Sequence, residues 1–319
     1  MEGRITDIDR FSTHDGPGIR TAFFFQGCPL RCIWCHSPET QSVEAETVYR
    51  KMKCIECGSC IRVCPEHAIA RQEKPDEEGH RGIRIEKELC RKCFACVKAC
   101  PAKALAQSSG KVSLEEIERI LVQDKPFYDN SGGGVTLSGG EILMQAEFAL
   151  GILNLCKEKQ IHTAIETCGY GQASQLLKIG QAADLIYYDV KVMDAGLHRR
   201  FTGRDNRRIL DNLRMLSERK QETGDVVVRI PCIPGINDSP EQIGETARFV
   251  KGLGLGWLEL LPYNEAAMAK YQWLFQEYQL ADLHTRNKAY YTELEEVVKK
   301  AGLKPAYAHS YNTSRRKQE

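Results

Sequence analysis

Eleven of the fourteen cysteines in this 319-residue chain fall into three tight runs, and thiols spaced so closely leave the surrounding backbone few choices. The first run is Cys28-Pro-Leu-Arg-Cys32-Ile-Trp-Cys35, spaced C-x3-C-x2-C with no fourth cysteine nearby. The second holds Cys54, Cys57, Cys60 and Cys64 ahead of Pro65. The third repeats its C-x2-C-x2-C-x3-C-P spacing with Cys90, Cys93, Cys96 and Cys100 ahead of Pro101. In runs of that kind three cysteines hold one 4Fe–4S cluster and the fourth reaches the other. Four thiolates close a cubane, which suits electron transfer. Three leave one iron without a protein ligand, and an open coordination position is what a metal site needs to act on a substrate. The runs therefore read as one reactive cluster wired to two closed ones.

Disulfides and zinc are the plainer uses of cysteine. Disulfide-rich secreted chains are short and begin with a signal peptide, whereas this chain begins Met1-Glu-Gly-Arg-Ile-Thr-Asp with no apolar core segment. Zinc ribbons pair C-x2-C knuckles rather than repeating a four-cysteine run. Cys156, Cys168 and Cys232 sit in apolar segments and read as ordinary buried thiols. A net charge of +1 gives no case for a nucleic-acid or membrane surface. No apolar run approaches the roughly 18 residues of a membrane span. Reduced thiolates and clusters place the protein in the cytoplasm, in a cell that lives with little oxygen.

Composition divides the chain. Residues 48–107 are cysteine-rich, charged and internally repeated, the pattern of a bacterial-ferredoxin-like α+β domain inserted into a larger one made of residues 1–47 and 108–319. In the larger part, strand-like runs at 21–25, 134–137, 162–166, 185–190, 225–230 and 257–261 alternate with amphipathic stretches at 114–123, 145–159, 173–180, 207–220 and 240–253. That alternation predicts repeated βα units on a parallel sheet. Six units fall short of the eight that close a barrel, so the expectation is an α/β fold, a partial (β/α)6 TIM-like barrel with its site at the strands' C-terminal ends. The polar residues collect there: Cys28, Ser138-Gly139-Gly140-Glu141, Glu166-Thr167, Asp189-Val190-Lys191, Arg229 and Tyr263-Asn264. The glycines of residues 131–140 lack the Gly-Lys-Ser/Thr ending of a phosphate loop; at a strand end they read as letting a ligand approach the backbone. His162 reads as structural, His198 as an anchor for the loop after Lys191, and the polar tail, residues 309–319, carries no motif.

These motifs resemble a known family. The C-x3-C-x2-C run is similar to that of the radical SAM superfamily, and Gly139-Gly140-Glu141 to its second motif. The run Asp15-Gly-Pro-Gly-Ile-Arg20-Thr-Ala-Phe-Phe-Phe-Gln-Gly27-Cys28 resembles the glycyl radical enzyme activating enzymes, the pyruvate formate-lyase activase family. Asp189-Val190-Lys191, Phe201-Thr202-Gly203 with Asn206, Arg229 before Pro234-Gly235, and Leu260-Leu-Pro-Tyr263 extend the resemblance over essentially the whole chain. The eight-cysteine insert is like that of the activases of glycerol dehydratase, choline lyase and benzylsuccinate synthase, and the pyruvate formate-lyase activase lacks it. Ser37, where the family often has Asn, and Asn264, where it usually has His, depart from the pattern.

The resemblance implies a radical SAM oxidoreductase with three 4Fe–4S clusters. Cys28, Cys32 and Cys35 would hold the cluster that reductively cleaves S-adenosylmethionine to a 5′-deoxyadenosyl radical, which takes a hydrogen atom from a backbone glycine of a partner glycyl radical enzyme. Trp34 and His36 would flank the adenosine. Gly139, Gly140 and Glu141 would hold the methionyl amino group, and Thr167, Asp189, Val190, Lys191 and Asn264 would contact the cofactor. Lys191 and Arg229 would act beside the cluster, and Glu166, Thr167 and Asp189 would form a monovalent-cation site. A flavodoxin or ferredoxin would supply the electron to a monomeric protein. Two other readings stay open: a ferredoxin-type electron carrier, and a radical SAM enzyme acting on a small molecule.

Overall fold

Apolar runs alternate with amphipathic ones from residue 134 onward, and each run forms a strand followed by a helix. In the computed structural model, which describes residues 1–75 and 79–306, the chain begins with strands β1 (Glu2–Ser12) and β2 (Arg20–Phe25). The insert follows: β3 (Thr47–Tyr49), α1 (Ser59–Arg62), β4 (Ile69–Arg71), β5 (Ile83–Ile85), α2 (Ala95–Lys98) and β6 (Leu105–Gln107). Next come β7 (Gly110–Ser113), α3 (Leu114–Ser131), β8 (Gly134–Gly139), α4 (Ala146–Glu158), β9 (His162–Thr167), α5 (Ala173–Ala182) and β10 (Leu185–Asp189). The remainder is α6 (Ala195–Thr202), α7 (Arg207–Glu218), β11 (Asp225–Cys232), α8 (Pro240–Gly252), β12 (Trp257–Pro262), α9 (Met268–Trp273), α10 (Lys288–Lys300) and β13 (Lys304–Ala306). The tail, residues 309–319, lies outside the described residues, as do residues 76–78 of the connection between the two cysteine runs.

One sheet runs β13-β12-β11-β10-β9-β8-β2-β1-β7. From β2 to β13 every pairing is parallel, while β1 pairs antiparallel with β2 and β7. Among the described residues the sheet stays open between β7 and β13, the partial barrel that the six units predict. Three strands go beyond that expectation. Residues 2–12 are half-polar, and β13 is short; both earn their place by pairing with a stronger neighbour, which local composition does not register.

The strands' two faces are separated by their period of two. Ile186, Tyr188 and Val190 join the core that packs under the helices, with Ile165, Val228 and Leu258. Leu185 and Tyr187 join Ala164 and Val227 in a separate inner cluster. Helices α7 and α8 press Ile209, Leu213, Leu216, Ile243, Ala247 and Val250 onto the outer face, and each fully buried aliphatic side chain contributes roughly 2 kcal/mol. Capping boxes start α3 (Ser113 with Glu116) and α8 (Ser239 with Gln242). Helix α3 runs eight residues past its predicted end and through Pro126. Its second half is held by buried Asp124, which accepts from Arg10 on β1 and from Thr21 on β2, a tie that periodicity cannot show.

The insert's two ends meet, since Val48 pairs with Ala106 across β3 and β6. Its two halves repeat in backbone as in sequence. Left-handed residues recur at equivalent positions, Glu56 with Lys92, Gly58 with Phe94 and His67 with Lys103. Ala68 N–H donates to Cys64 Sγ and Ala104 N–H to Cys100 Sγ, both at 3.3 Å.

Candidate active site

A cavity of about 340 Å3 opens at the C-terminal ends of the parallel strands, within the range of small-molecule sites. Cys28, Cys32 and Cys35 line it from the loop after β2, together with Trp34 and His36. Opposite lie Gly139 and Gly140 after β8, Thr167 after β9, Asp189 and Lys191 after β10, and Tyr263 with Asn264 after β12.

The cysteine loop is pinned from both sides. Gly27 N–H donates to Thr40 O (2.7 Å), Arg31 N–H to Thr202 O (2.7 Å) and Ile33 N–H to Phe201 O (3.0 Å). The Phe201-Thr202-Gly203 motif is thus a rail along which the loop lies. Asn206 ties that rail to the segment after Lys191 by donating to the carbonyls of Val192 and Met193, and buried His198 braces it through Thr202 and the Arg204 carbonyl. The three thiols are free. Burial pushes all three up, Cys32 to about 12, so metal binding there is coupled to proton release. Among the described residues no three ligands converge on a single ion.

Register builds the charge pattern on the inner face. Across β10, β11 and β12, Asp189 stands opposite Arg229 and Arg229 opposite Glu259. Arg229 donates to Glu166 at 2.8 Å and approaches Asp189 at 3.4 Å, with its guanidinium 4.8 Å above the Tyr187 ring. Lys191 reaches Asp189 at 3.1 Å, and Ser138 donates to Glu166 at 2.5 Å. Burial alone would raise Asp189, but Lys191 and Arg229 outweigh it and hold the carboxyl below the ordinary range. Both cations are raised despite burial, Arg229 chiefly by Glu166 and Lys191 chiefly by Asp189.

Several predicted site residues occupy other places than the cavity wall. Arg229 is not part of the wall, and its charge is shared between Glu166 and Asp189. Val190 points into the helix-packed core. Glu141 is 1% exposed; its carboxylate accepts from Leu143 N–H, Thr167 Oγ1, Cys168 N–H and Cys168 Sγ. It fixes the turn after β9 from below. A Cβ on Gly139 would meet Phe25 N at 2.2 Å, and one on Gly140 would meet Gly27 O at 2.2 Å. Close packing of strand ends, rather than a ligand alone, therefore requires these glycines.

Other residues gain a role that the sequence reading withheld. Cys168, read as an ordinary core thiol, lines the cavity beside Thr167. Glu259, in the apolar run Trp257-Leu-Glu-Leu-Leu261, faces Arg229 inside the barrel, with one carboxylate oxygen lacking a partner. A lone acid in a parallel strand was the available signal. Burial first, then Glu166 and Asp189, push its carboxyl up to about 7 against the pull of Arg229. Because the fold favours the neutral acid, its stabilisation is complete below the ordinary carboxylate pKa and is lost as pH rises through about 7. Glu259→Gln is thus expected to match the wild type at pH 5 and to exceed it at pH 8 by at most roughly 3 kcal/mol. Anaerobic denaturant unfolding at the two pH values checks this, and an equal difference at both would refute it.

The insert's cysteines form two further pockets. One is lined by Cys54, Cys57, Cys60 and Cys100, the other by Cys90, Cys93, Cys96 and Cys64. The fourth cysteine of each run crosses to the other run's pocket, the exchange expected for two 4Fe–4S clusters. Each crossing sulfur already accepts a backbone N–H.

Residues 92–250 match the profile of the radical SAM superfamily, residues 53–104 that of a 4Fe-4S dicluster domain, and residues 14–61 that of a 4Fe-4S single cluster domain. The chain is 38% identical to the trans-4-hydroxy-L-proline dehydratase activating enzyme of Clostridioides difficile, over 93% of this chain and 95% of the relative. It is 39% identical to the choline trimethylamine-lyase activating enzyme of Oleidesulfovibrio alaskensis, over 86% of this chain and 87% of the relative. In fold it is similar to the crystal structure of Streptococcus suis SuiB bound to precursor peptide SuiA, with TM-score 0.50 and 16% identity over 88% of this chain and 47% of the other.

Proposed function

As this chain belongs to the glycyl radical enzyme activating enzymes of the radical SAM superfamily, we propose how its own residues divide that work. The carrying observation is the convergence of three free thiols and six strand ends on one cavity. When bound there, a 4Fe–4S cluster and S-adenosylmethionine supply the reductive cleavage whose adenosyl radical takes a hydrogen atom from the partner's glycine. Cys28, Cys32 and Cys35 hold the cluster. Trp34, braced by Phe201 at 6.4 Å between ring centroids, and His36 flank the adenosine. The backbone at Gly139 and Gly140 holds the amino end, and Lys191, Asp189, Thr167 and Asn264 orient the carboxylate and ribose. Arg229 and Glu141 act as positioning residues, since both lie beneath the wall. The open sheet edge leaves a lateral way in for a glycine-bearing loop.

Residues 48–107 form the electron-transfer insert and hold two further clusters, making three in all; residues 1–47 and 108–319 form the barrel. Thirteen Lys and Arg against eight Asp and Glu in the insert suit an anionic one-electron carrier such as a flavodoxin or ferredoxin. No helix among the described residues is long and apolar enough to cross a membrane. A monomer in the cytoplasm completes this reading.

Lys191→Ala and Asp189→Asn test the cavity's polar wall. Each removes a charge-assisted hydrogen bond of about 1.5–3 kcal/mol, so S-adenosylmethionine should bind roughly 10- to 100-fold more weakly. Cluster absorbance should be unchanged, because both residues face the ligand and not the iron. Unaltered affinity in both variants would move the cofactor away from this wall.

A further inference from the structure

Helix α9 lies between the cysteine loop and the insert, packing on β3 and on the turn at residues 38–40. Toward the loop, Lys270 donates to Glu39 at 2.6 Å and approaches Ser37 Oγ at 3.4 Å. Tyr271 is buried beside Cys35 and Cys32. Toward the insert, Arg50 sits 5.0 Å over the Trp273 ring. Just past the helix, Phe275 stacks face to face on Tyr49, with centroids 5.6 Å apart and planes 1° from parallel. Tyr49 lines the pocket of Cys54, Cys57, Cys60 and Cys100.

Phe275 closes the end of α9, its N–H donating to Gln272 O and that of Gln276 to Tyr271 O. Its φ is +55°, a left-handed conformation that suits glycine and strains a bulky side chain. Such strain persists where the surroundings over-determine it, and it gathers at functional places. Here the helix-ending turn fixes that conformation and sets the Phe275 ring against Tyr49.

Resting on the reading of the three cysteine sites given above, we propose that the Tyr49–Phe275 stack and α9 are the electron bridge from the Cys54/Cys57/Cys60/Cys100 cluster to the Cys28/Cys32/Cys35 cluster. The first of these is then the inner cluster, and the Cys64/Cys90/Cys93/Cys96 cluster the outer one. One electron leaves the reduced inner cluster, which returns to its oxidised state, and the reactive cluster is reduced by one. No bond forms or breaks and no proton moves. A low-potential one-electron carrier refills the insert.

Anaerobic holoenzyme mixed with reduced flavodoxin and freeze-quenched for electron paramagnetic resonance tests the bridge. The reactive cluster is identified as the one whose signal changes when S-adenosylmethionine is added. Phe275→Gly deletes the ring while suiting the left-handed backbone, which offsets part of the lost packing, so iron content should be unchanged. The insert clusters should fill at the wild-type rate, and the reactive cluster severalfold more slowly. Phe275→Tyr should keep the wild-type rate. Wild-type filling of the reactive cluster in Phe275→Gly would overturn the bridge and leave the proposed function standing. A wild-type protein in which no cluster responds to S-adenosylmethionine would overturn the proposed function itself.

Discussion

Replacing Cys28, Cys32 and Cys35 together by alanine is expected to remove about a third of the bound iron, four of about twelve atoms, and all cleavage of S-adenosylmethionine. The effect is all-or-none because these thiols are the cavity's one cysteine wall from the loop after β2. The insert's pockets are lined by four cysteines each, enough to ligate every iron of a 4Fe–4S cluster. The fold should survive. The loop is held by its backbone bonds to Thr40, Phe201 and Thr202, and none of these passes through a thiol. The companion experiment replaces Cys54, Cys57 and Cys60 by alanine. It should also remove about a third of the iron, while cleavage driven by a strong chemical reductant remains. Residual cleavage in the first variant, or its complete loss in the second under that reductant, would refute the division between reactive and relay clusters.

What the sequence disclosed and what it withheld divide along distance. Cysteine spacing is local, so the gathering of the three runs and even the crossing of Cys64 and Cys100 to the other run's pocket were readable. The βα alternation is local as well, and it located each of the six predicted strands. The charge pattern is not local. Glu166, Asp189, Arg229 and Glu259 become neighbours only through the register of β9 to β12, and each alone looks like an ordinary polar strand residue. Hence Arg229 was expected in the cavity wall, though paired carboxylates draw it beneath, and Glu259 went unremarked. Glu141 shows the same limit: its motif was recognised, but its bonds to Thr167 and Cys168 depend on how β8 and β9 end together. Strands β1, β7 and β13 form through their partners, and short or half-polar segments carry little signal of that. The left-handed Phe275 leaves no mark in composition at all, because a phenylalanine there would be read as core.

Mixed without oxygen with S-adenosylmethionine, an electron donor and its cognate glycyl radical enzyme, this protein is expected to place a stable organic radical on the partner. The hydrogen atom's path can be followed directly. If the partner's glycine carries deuterium at Cα, the deuterium should appear in 5′-deoxyadenosine. The doublet from the remaining Cα–H should collapse, since deuterium couples far more weakly. Without the partner, cleavage should be slow and should incorporate no deuterium. The geometry argues for a polypeptide substrate over a small metabolite. The cavity of about 340 Å3 is near the lower limit of ligand sites and is already walled by the groups assigned to the cofactor. The nearest charged side chains, Asp189, Lys191, Arg229 and Glu166, are committed to one another. With Asp189 and Lys191 assigned to the cofactor and Arg229 paired with Glu166, the described residues of the wall offer no further acid–base pair to grip a metabolite. A backbone glycine needs no such grip; it needs a gap through which a loop can enter, and among the described residues the sheet open between β7 and β13 provides one. Rapid multiple turnover with a small metabolite alone, and no radical on any protein, would contradict this argument at its root.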